Sequence, residues 1–332
     1  MEQRIKDRFN EGIFQEVINR YGISKNQIKI LDSFESFIYE FENRNGEYIL
    51  RIGHSIRRNV DLIDGEVDGI NFLADRGVGV SKAITSNNGN LVEAVDEHQG
   101  GQFLATAFVK AKGESPWGKW TPSLFESYGE LLGKMHFHTQ YYQPLFSQRK
   151  RPEWDDSIFD YVEQYLPDSE WKIREKYKAI CQRVNKIPKT IETYGLIHQD
   201  AHGANLFVDE VGNITLFDFD DCCYSWFIND IAIVLFYMVS TTEDKVPLTI
   251  EFMSRFLRGY MRHFHLNFEL LKEIPYFLKI REIELYSVIQ RDFDLDAIDD
   301  RWVKRFMENR KFDIENDVPF IDLDFDSLKF LF

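Results

Sequence analysis

Six polar side chains gather in one short segment of the chain: His198, Asp200, His202, Asn205, Asp218 and Asp220. Two apolar runs, residues 206–208 and 214–217, flank a turn at Gly212-Asn213 and read as a β-hairpin, so these groups cluster just outside its ends. An Asp, an Asn five residues later and a second Asp beyond a hairpin is the layout that metal-assisted phosphoryl transfer from a nucleotide requires. Asp200 is placed to orient an acceptor hydroxyl and take its proton. Asn205 and Asp218 are placed to hold the Mg2+ that neutralises charge on the transferring group. Singly these residues say less, because Asp and Asn are common turn formers. His198 reads as a hydrogen-bonded histidine that braces the loop. The spacing of the set points to a kinase.

His198-x-Asp200-x-x-x-x-Asn205, followed by Leu216-Phe217-Asp218-Phe219-Asp220, resembles the aminoglycoside phosphotransferase and choline kinase superfamily of small-molecule kinases. The resemblance spans most of the chain, from about residue 28 onward, with its specific motifs in 195–235. It implies the two-lobed fold of protein kinases, Asp200 as the catalytic aspartate, and Asn205 and Asp218 as Mg2+ ligands. Asp230, in Asn229-Asp230-Ile231-Ala232, matches a helix aspartate that steadies the catalytic loop, and Asp220 is support rather than a ligand. The helix ending Leu131-Leu132-Gly133-Lys134-Met135-His136 fits the same pattern. In the small lobe, Arg51 stands where the superfamily has a lysine gripping the nucleotide phosphates, with Glu66 as its helix partner. Arginine is a good bidentate phosphate ligand, although its reach and geometry differ. The phosphate-covering loop, Asp32-Ser33-Phe34-Glu35-Ser36, has no glycine. Its backbone N–H groups and the Ser33 or Ser36 hydroxyl are left for phosphate contact. ATP is the expected nucleotide, GTP stays open, and the adenine edge is expected at Thr106–Phe108.

The elements that must position these residues give an α+β fold. After an opening helix, six strand-like runs, at 28–31, 37–42 and 48–52, two around Asn87–Asn90, and 102–110, are expected to build a five-stranded antiparallel sheet, with a helix at 61–75. From Pro122 the pattern is mainly helical apart from the catalytic hairpin. The division expected is an N-terminal nucleotide-binding lobe, 1–109, and a C-terminal catalytic and acceptor-binding lobe, 110–332.

A charge of −15 over 332 residues speaks against nucleic acid, whose phosphates demand a basic face. No apolar run approaches the ~20 residues of a membrane span. Three cysteines, two of them adjacent, make no disulfide framework, so a reducing cytoplasm is expected. Only eleven residues separate Asp218 from Asp230, too few for a peptide platform, which favours a small-molecule hydroxyl acceptor over a seryl or threonyl side chain of a protein. The expected acceptor wall is His202, Trp226, Arg281, Glu284 and Tyr286, with Tyr237, Arg291 and Trp302 nearby. Aromatics and acids there suit an ammonium group or an aminoglycoside, and Arg281 suits a carboxylate, as in homoserine. Two competing readings use the same residues: a metal-dependent hydrolase with His198, Asp200 and His202 as ligands, and a degenerate kinase fold acting as a nucleotide-binding scaffold. Oligomeric state is not legible.

Overall fold

The computed structural model describes residues 2–31, 35–295, 297 and 299–332. Two lead-in helices, α1 (Gln3–Lys6) and α2 (Glu11–Arg20), precede the strands β1 (Ile28–Leu31), β2 (Phe37–Asn43) and β3 (Gly46–His54). Helix α3 (Val60–Ala74) then crosses to β4 (Ala83–Ile84), β5 (Val92–Asp96) and β6 (Gln102–Val109). All pairs are antiparallel in the order β1-β2-β3-β6, and β4 and β5 both lie on the far edge of β6. β5 pairs with residues 102–106 and β4 with 107–108, so the two strands expected around Asn87–Asn90 share one edge of β6, and the sheet has six strands in five positions where five strands were expected.

Strand parity decides what faces the site. Along β3, Tyr48, Leu50, Ile52 and His54 are buried on one face, and alternate residues, Arg51 among them, go to the other. The first face packs on Val17 and Ile18 of α2, and the second opens onto a cleft. In α3 the buried stripe is Ile63, Glu66, Val67, Ile70 and Leu73, a helical repeat that carries one carboxylate into an apolar face. Asn59 caps this helix, its side chain accepting from Leu62 N at 2.9 Å.

The larger lobe consists of α4 (Pro122–Thr139), α5 (Tyr161–Tyr165), α6 (Trp171–Val184), β7 (Tyr194–Ile197), the hairpin β8 (Leu206–Val208) and β9 (Ile214–Leu216), β10 (Cys223–Trp226), α7 (Phe227–Val239), α8 (Lys245–Tyr260), α9 (Ile274–Asp292), α10 (Arg301–Met307) and α11 (Arg310–Glu315). Apolar nearly all round, α7 runs through the interior, and its mostly buried residues join the core around α4, α8 and α9. Helices α4 and α8 touch through glycine: a Cβ on Gly129 would lie 1.8 Å from the carbonyl oxygen of Phe256. The hairpin is held on both sides, by Leu216 N donating to Gly79 O at 2.8 Å and Val208 N donating to Glu114 O at 2.9 Å. Among the described residues no helix is long and apolar enough to cross a membrane.

Candidate active site

β7 delivers the chain to the loop that carries Asp200, and Asp230, near the start of α7, fixes how it leaves. Gln199 sits at φ 70°, in the left-handed region that costs a non-glycine residue about 1–2 kcal/mol. Asp230, fully buried, offsets this by accepting from His198 N and Gln199 N, each at 2.9 Å. His136 Nε2 contacts the same carboxylate at 3.1 Å, and His136 Nδ1 meets the Tyr260 hydroxyl at 2.8 Å. His198 is equally committed. Its Nδ1 accepts from Asp200 N at 3.2 Å, so Nε2 carries the proton and donates to Phe217 O at 3.0 Å. Burial lowers its pKa against the pull of Asp230 and Asp200, consistent with that neutral tautomer. Both ring nitrogens are used, which removes His198 as a metal ligand and with it the hydrolase constellation.

Asp200 stands at the floor of a cleft of about 1440 Å³ between the sheet and the helices. One oxygen accepts from Arg281, and the other lies 3.0 Å from Asn205 Nδ2 and 3.3 Å from His202 Nε2. Burial would raise its pKa, but His202 and Arg281 hold it well below the usual carboxylate range. The Asn205 amide nitrogen also donates to Asp200 O at 3.0 Å, so its carbonyl oxygen could hold a cation. Asp218, at the far end of the hairpin, is the second strained residue, with φ 63°. Its side chain is 56% exposed to the cleft. Enclosure by the walls, opposed by Arg51 and reinforced by Asp220, Glu66 and Asp200, pushes its carboxyl up to about 7.

From the sheet side, Arg51 makes a bidentate pair with Glu66 at 2.8 and 2.5 Å, and its guanidinium lies 3.9 Å from Asp218. The strand parity of Arg51 and the helical stripe of Glu66 thus meet beside Asp218. Phe108, 5.1 Å beneath the guanidinium, and Ser36 also line the cleft.

A family model described as the phosphotransferase enzyme family matches residues 27–272. The chain belongs to this family. Amicoumacin kinase of Bacillus subtilis (strain 168) is 37% identical over 330 residues, 98% of both chains. A solved structure of amicoumacin kinase hAmiN in complex with AMP-PNP, Ca2+ and Ami aligns with a TM-score of 0.92 at 32% identity, over 99% of this chain and 100% of that one. A microcompartment-associated aminopropanol kinase shares the fold, with a TM-score of 0.73 at 20% identity over 92% and 95% of the two chains.

In this phosphotransferase several expected wall residues do line the cleft, namely His202, Tyr237, Arg281, Glu284 and Arg291. Others are corrected. Trp226 is fully buried in the core between Trp154 and Phe277, because β10 pairs with β7 and turns it inward. Tyr286 packs in a separate cluster with Val162, Leu166 and Ile173. Thr106 is buried inside β6, flanked by Arg51 of β3 and Val92 of β5, so strands occupy both its edges and no nucleotide reaches its backbone. Trp302 stacks behind Tyr237 with centroids 6.3 Å apart. Ser33 lies outside the described residues. Asp220 turns to Arg58 at 3.3 Å and Arg57 at 3.7 Å, as a support residue would. Those two arginines were missed from sequence; the only signal was the doublet just ahead of the Asn59 cap.

Glu284 is buried beside Arg281 and accepts from the Tyr177 hydroxyl at 3.0 Å. Burial, opposed by Arg281 and Tyr177, pushes it from 4.5 up to about 7. Between those values the folded chain binds this proton more tightly than the unfolded chain, so stability falls as pH rises through that window. Glu284→Gln removes the penalty of at most about 3 kcal/mol. The variant should melt higher than the parent at pH 8 and alike at pH 4.5, by thermal denaturation at the two values. A lower melting point at pH 8 would contradict this account.

Among the described residues no group of three or more His, Cys, Asp or Glu side chains is arranged to hold a metal. One carboxylate and one amide oxygen suit Mg2+ instead, which keeps few protein ligands and takes the rest from substrate phosphates.

Proposed function

We propose that the chain transfers the γ-phosphoryl group of ATP to a hydroxyl of an amicoumacin-type antibiotic. The observation that carries the acceptor is similarity over nearly the full length to amicoumacin kinase, joined to the TM-score of 0.92 against the kinase bound to AMP-PNP, Ca2+ and Ami. Residues 1–109 act as the nucleotide lobe and 110–332 as the catalytic lobe, working in the cytoplasm. Asn205 and Asp218 hold the divalent cation, which when bound neutralises charge on the transferring group. Arg51, oriented by Glu66, grips the nucleotide phosphates, with Ser36 and Phe108 on the same wall.

Asp200 accepts a hydrogen bond from the acceptor hydroxyl and aims its oxygen at the γ-phosphorus. The new O–P bond forms as the bond to the ADP oxygen breaks, and the hydroxyl proton passes to Asp200. Positioning supplies most of the acceleration in such a loose transition state. The acceptor body sits against His202, Tyr237, Arg281 and Glu284.

The test is ADP release by the purified protein with amicoumacin, aminoglycosides, choline, ethanolamine and homoserine, and the mass of each product. Amicoumacin should stimulate release and gain one phosphoryl group. Stimulation only by another acceptor overturns the acceptor assignment, and acceptor cleavage without nucleotide overturns phosphotransfer.

A further inference from the structure

We propose that Arg151 is a positioning residue for phosphoryl transfer, fastening the helix of Glu66 and the loop of Asp218 to each other; this rests on the phosphotransfer reading above. Arg151 is 2% exposed and lies on no catalytic motif. Its guanidinium donates to three main-chain carbonyls: Cys222 at 2.8 Å through Nε, Leu62 at 2.7 Å and Asp220 at 2.5 Å through the two terminal nitrogens. Leu62 lies in the first turn of α3, one turn ahead of Glu66. Asp220 and Cys222 follow Asp218 by two and four residues. One rigid, planar fork therefore ties the two elements that bring Arg51–Glu66 and Asp218 within 3.9 Å of each other.

The backbone around it makes the tie close. Gly65, next to Glu66, lies so near the strap of residues 149–154 that a Cβ would stand 2.2 Å from Arg149 O and 3.3 Å from Arg151 Cδ. Arg149 adds an ion pair to Asp64 at 3.5 Å. On the other side, Trp154 N donates to Tyr224 O and Tyr224 N to Pro152 O, each at 2.9 Å, zipping the strap to β10. A guanidinium spent wholly on carbonyls carries no chemistry itself. Its effect passes through the separation of α3 from the Asp218 loop, and a misplacement of about 1 Å there costs on the order of a hundredfold in rate.

The deciding experiment compares steady-state constants and melting points of the full chain with those of Arg151→Gln, Arg151→Lys, Gly65→Ala and Gly259→Ala. Gly259→Ala loosens the α4–α8 contact, where its Cβ would lie 1.9 Å from Glu126 O, and serves as the purely structural control. Arg151→Gln and Gly65→Ala should raise the KM for MgATP about tenfold or more and lower kcat, with the acceptor KM within about twofold. Arg151→Lys should fall between, since an ammonium cannot span three diverging carbonyls. Gly259→Ala should lower the melting point alone. The proposal is overturned if the Arg151 variants lose melting temperature but keep the parent's KM for MgATP, as the control does. If Arg151→Gln is insoluble, Gly65→Ala and Arg151→Lys decide. A parent that binds MgADP yet phosphorylates no acceptor on the panel shifts the comparison to MgADP affinity, where the same ordering is expected; a parent that binds no MgADP overturns the phosphotransfer reading instead.

Discussion

Asp200→Asn should cut phosphoryl transfer by about a thousandfold or more while MgATP still binds, since positioned proton transfer contributes roughly 10²–10⁴ in rate. The substitution keeps shape and removes both the charge and the proton acceptor. It also turns an amide N–H₂ toward Arg281, Asn205 or His202, all of which present donors to the carboxylate in the parent. At least one of those contacts must break, so the acceptor hydroxyl loses its orientation as well. Nucleotide binding survives because Asn205 keeps a second anchor, the Asp200 carbonyl at 3.0 Å, and Asp218 is held from the other end of the hairpin. Paired measurements of kcat and of MgADP affinity check this. Transfer at the parent rate would remove Asp200 from its role, and loss of MgADP affinity would make it part of the nucleotide site.

The gathering of Asp200, Asn205 and Asp218 at one cleft was legible because they stand at fixed separations on one loop and one hairpin, and sequence preserves such separations. Arg51 and Glu66 were legible through the resemblance, and strand parity and the helical repeat give the physical reason they meet. The failures have separate causes. Thr106 looked available because nothing in a strand's own residues reveals that β4 and β5 share its outer edge. Tyr286 was an avoidable error. The α9 residues on the cleft are Arg281, Glu284, Leu285, Val288, Arg291 and Asp292, a stripe at helical spacing, and Tyr286 falls about 140° from Arg281 on the helix. Trp226 needed the β7–β10 pairing to be known before its side could be assigned. Arg57, Arg58 and Arg151 were missed because their partners are carboxylates and carbonyls far away in sequence, and beyond the Arg57-Arg58 doublet no local pattern marks them.

Asp218→Asn should abolish Mg2+-dependent nucleotide binding without weakening the ligand-free fold. Asparagine is chosen over alanine because the residue sits at φ 63°, a left-handed conformation that Asn tolerates and Ala does not. Removing the charge also relieves the crowding with Asp220, Glu66 and Asp200 that pushes this carboxyl up to about 7. The melting point of the variant alone is therefore expected to equal or exceed the parent's, the pattern of a residue kept for function against stability. Its oxygen is a poorer Mg2+ ligand once neutral, and Asn205 remains the partner with no formal charge to offer. In a thermal-shift titration, MgADP at a hundred times its dissociation constant should stabilise the parent by about 2.7 kcal/mol. The variant should show no such gain with Mg2+, and what binding remains should be the same with Mg2+ or with a chelator. An unchanged Mg2+-dependent shift would mean that the cation is held elsewhere in the cleft, for instance by Asp220 on leaving Arg57 and Arg58.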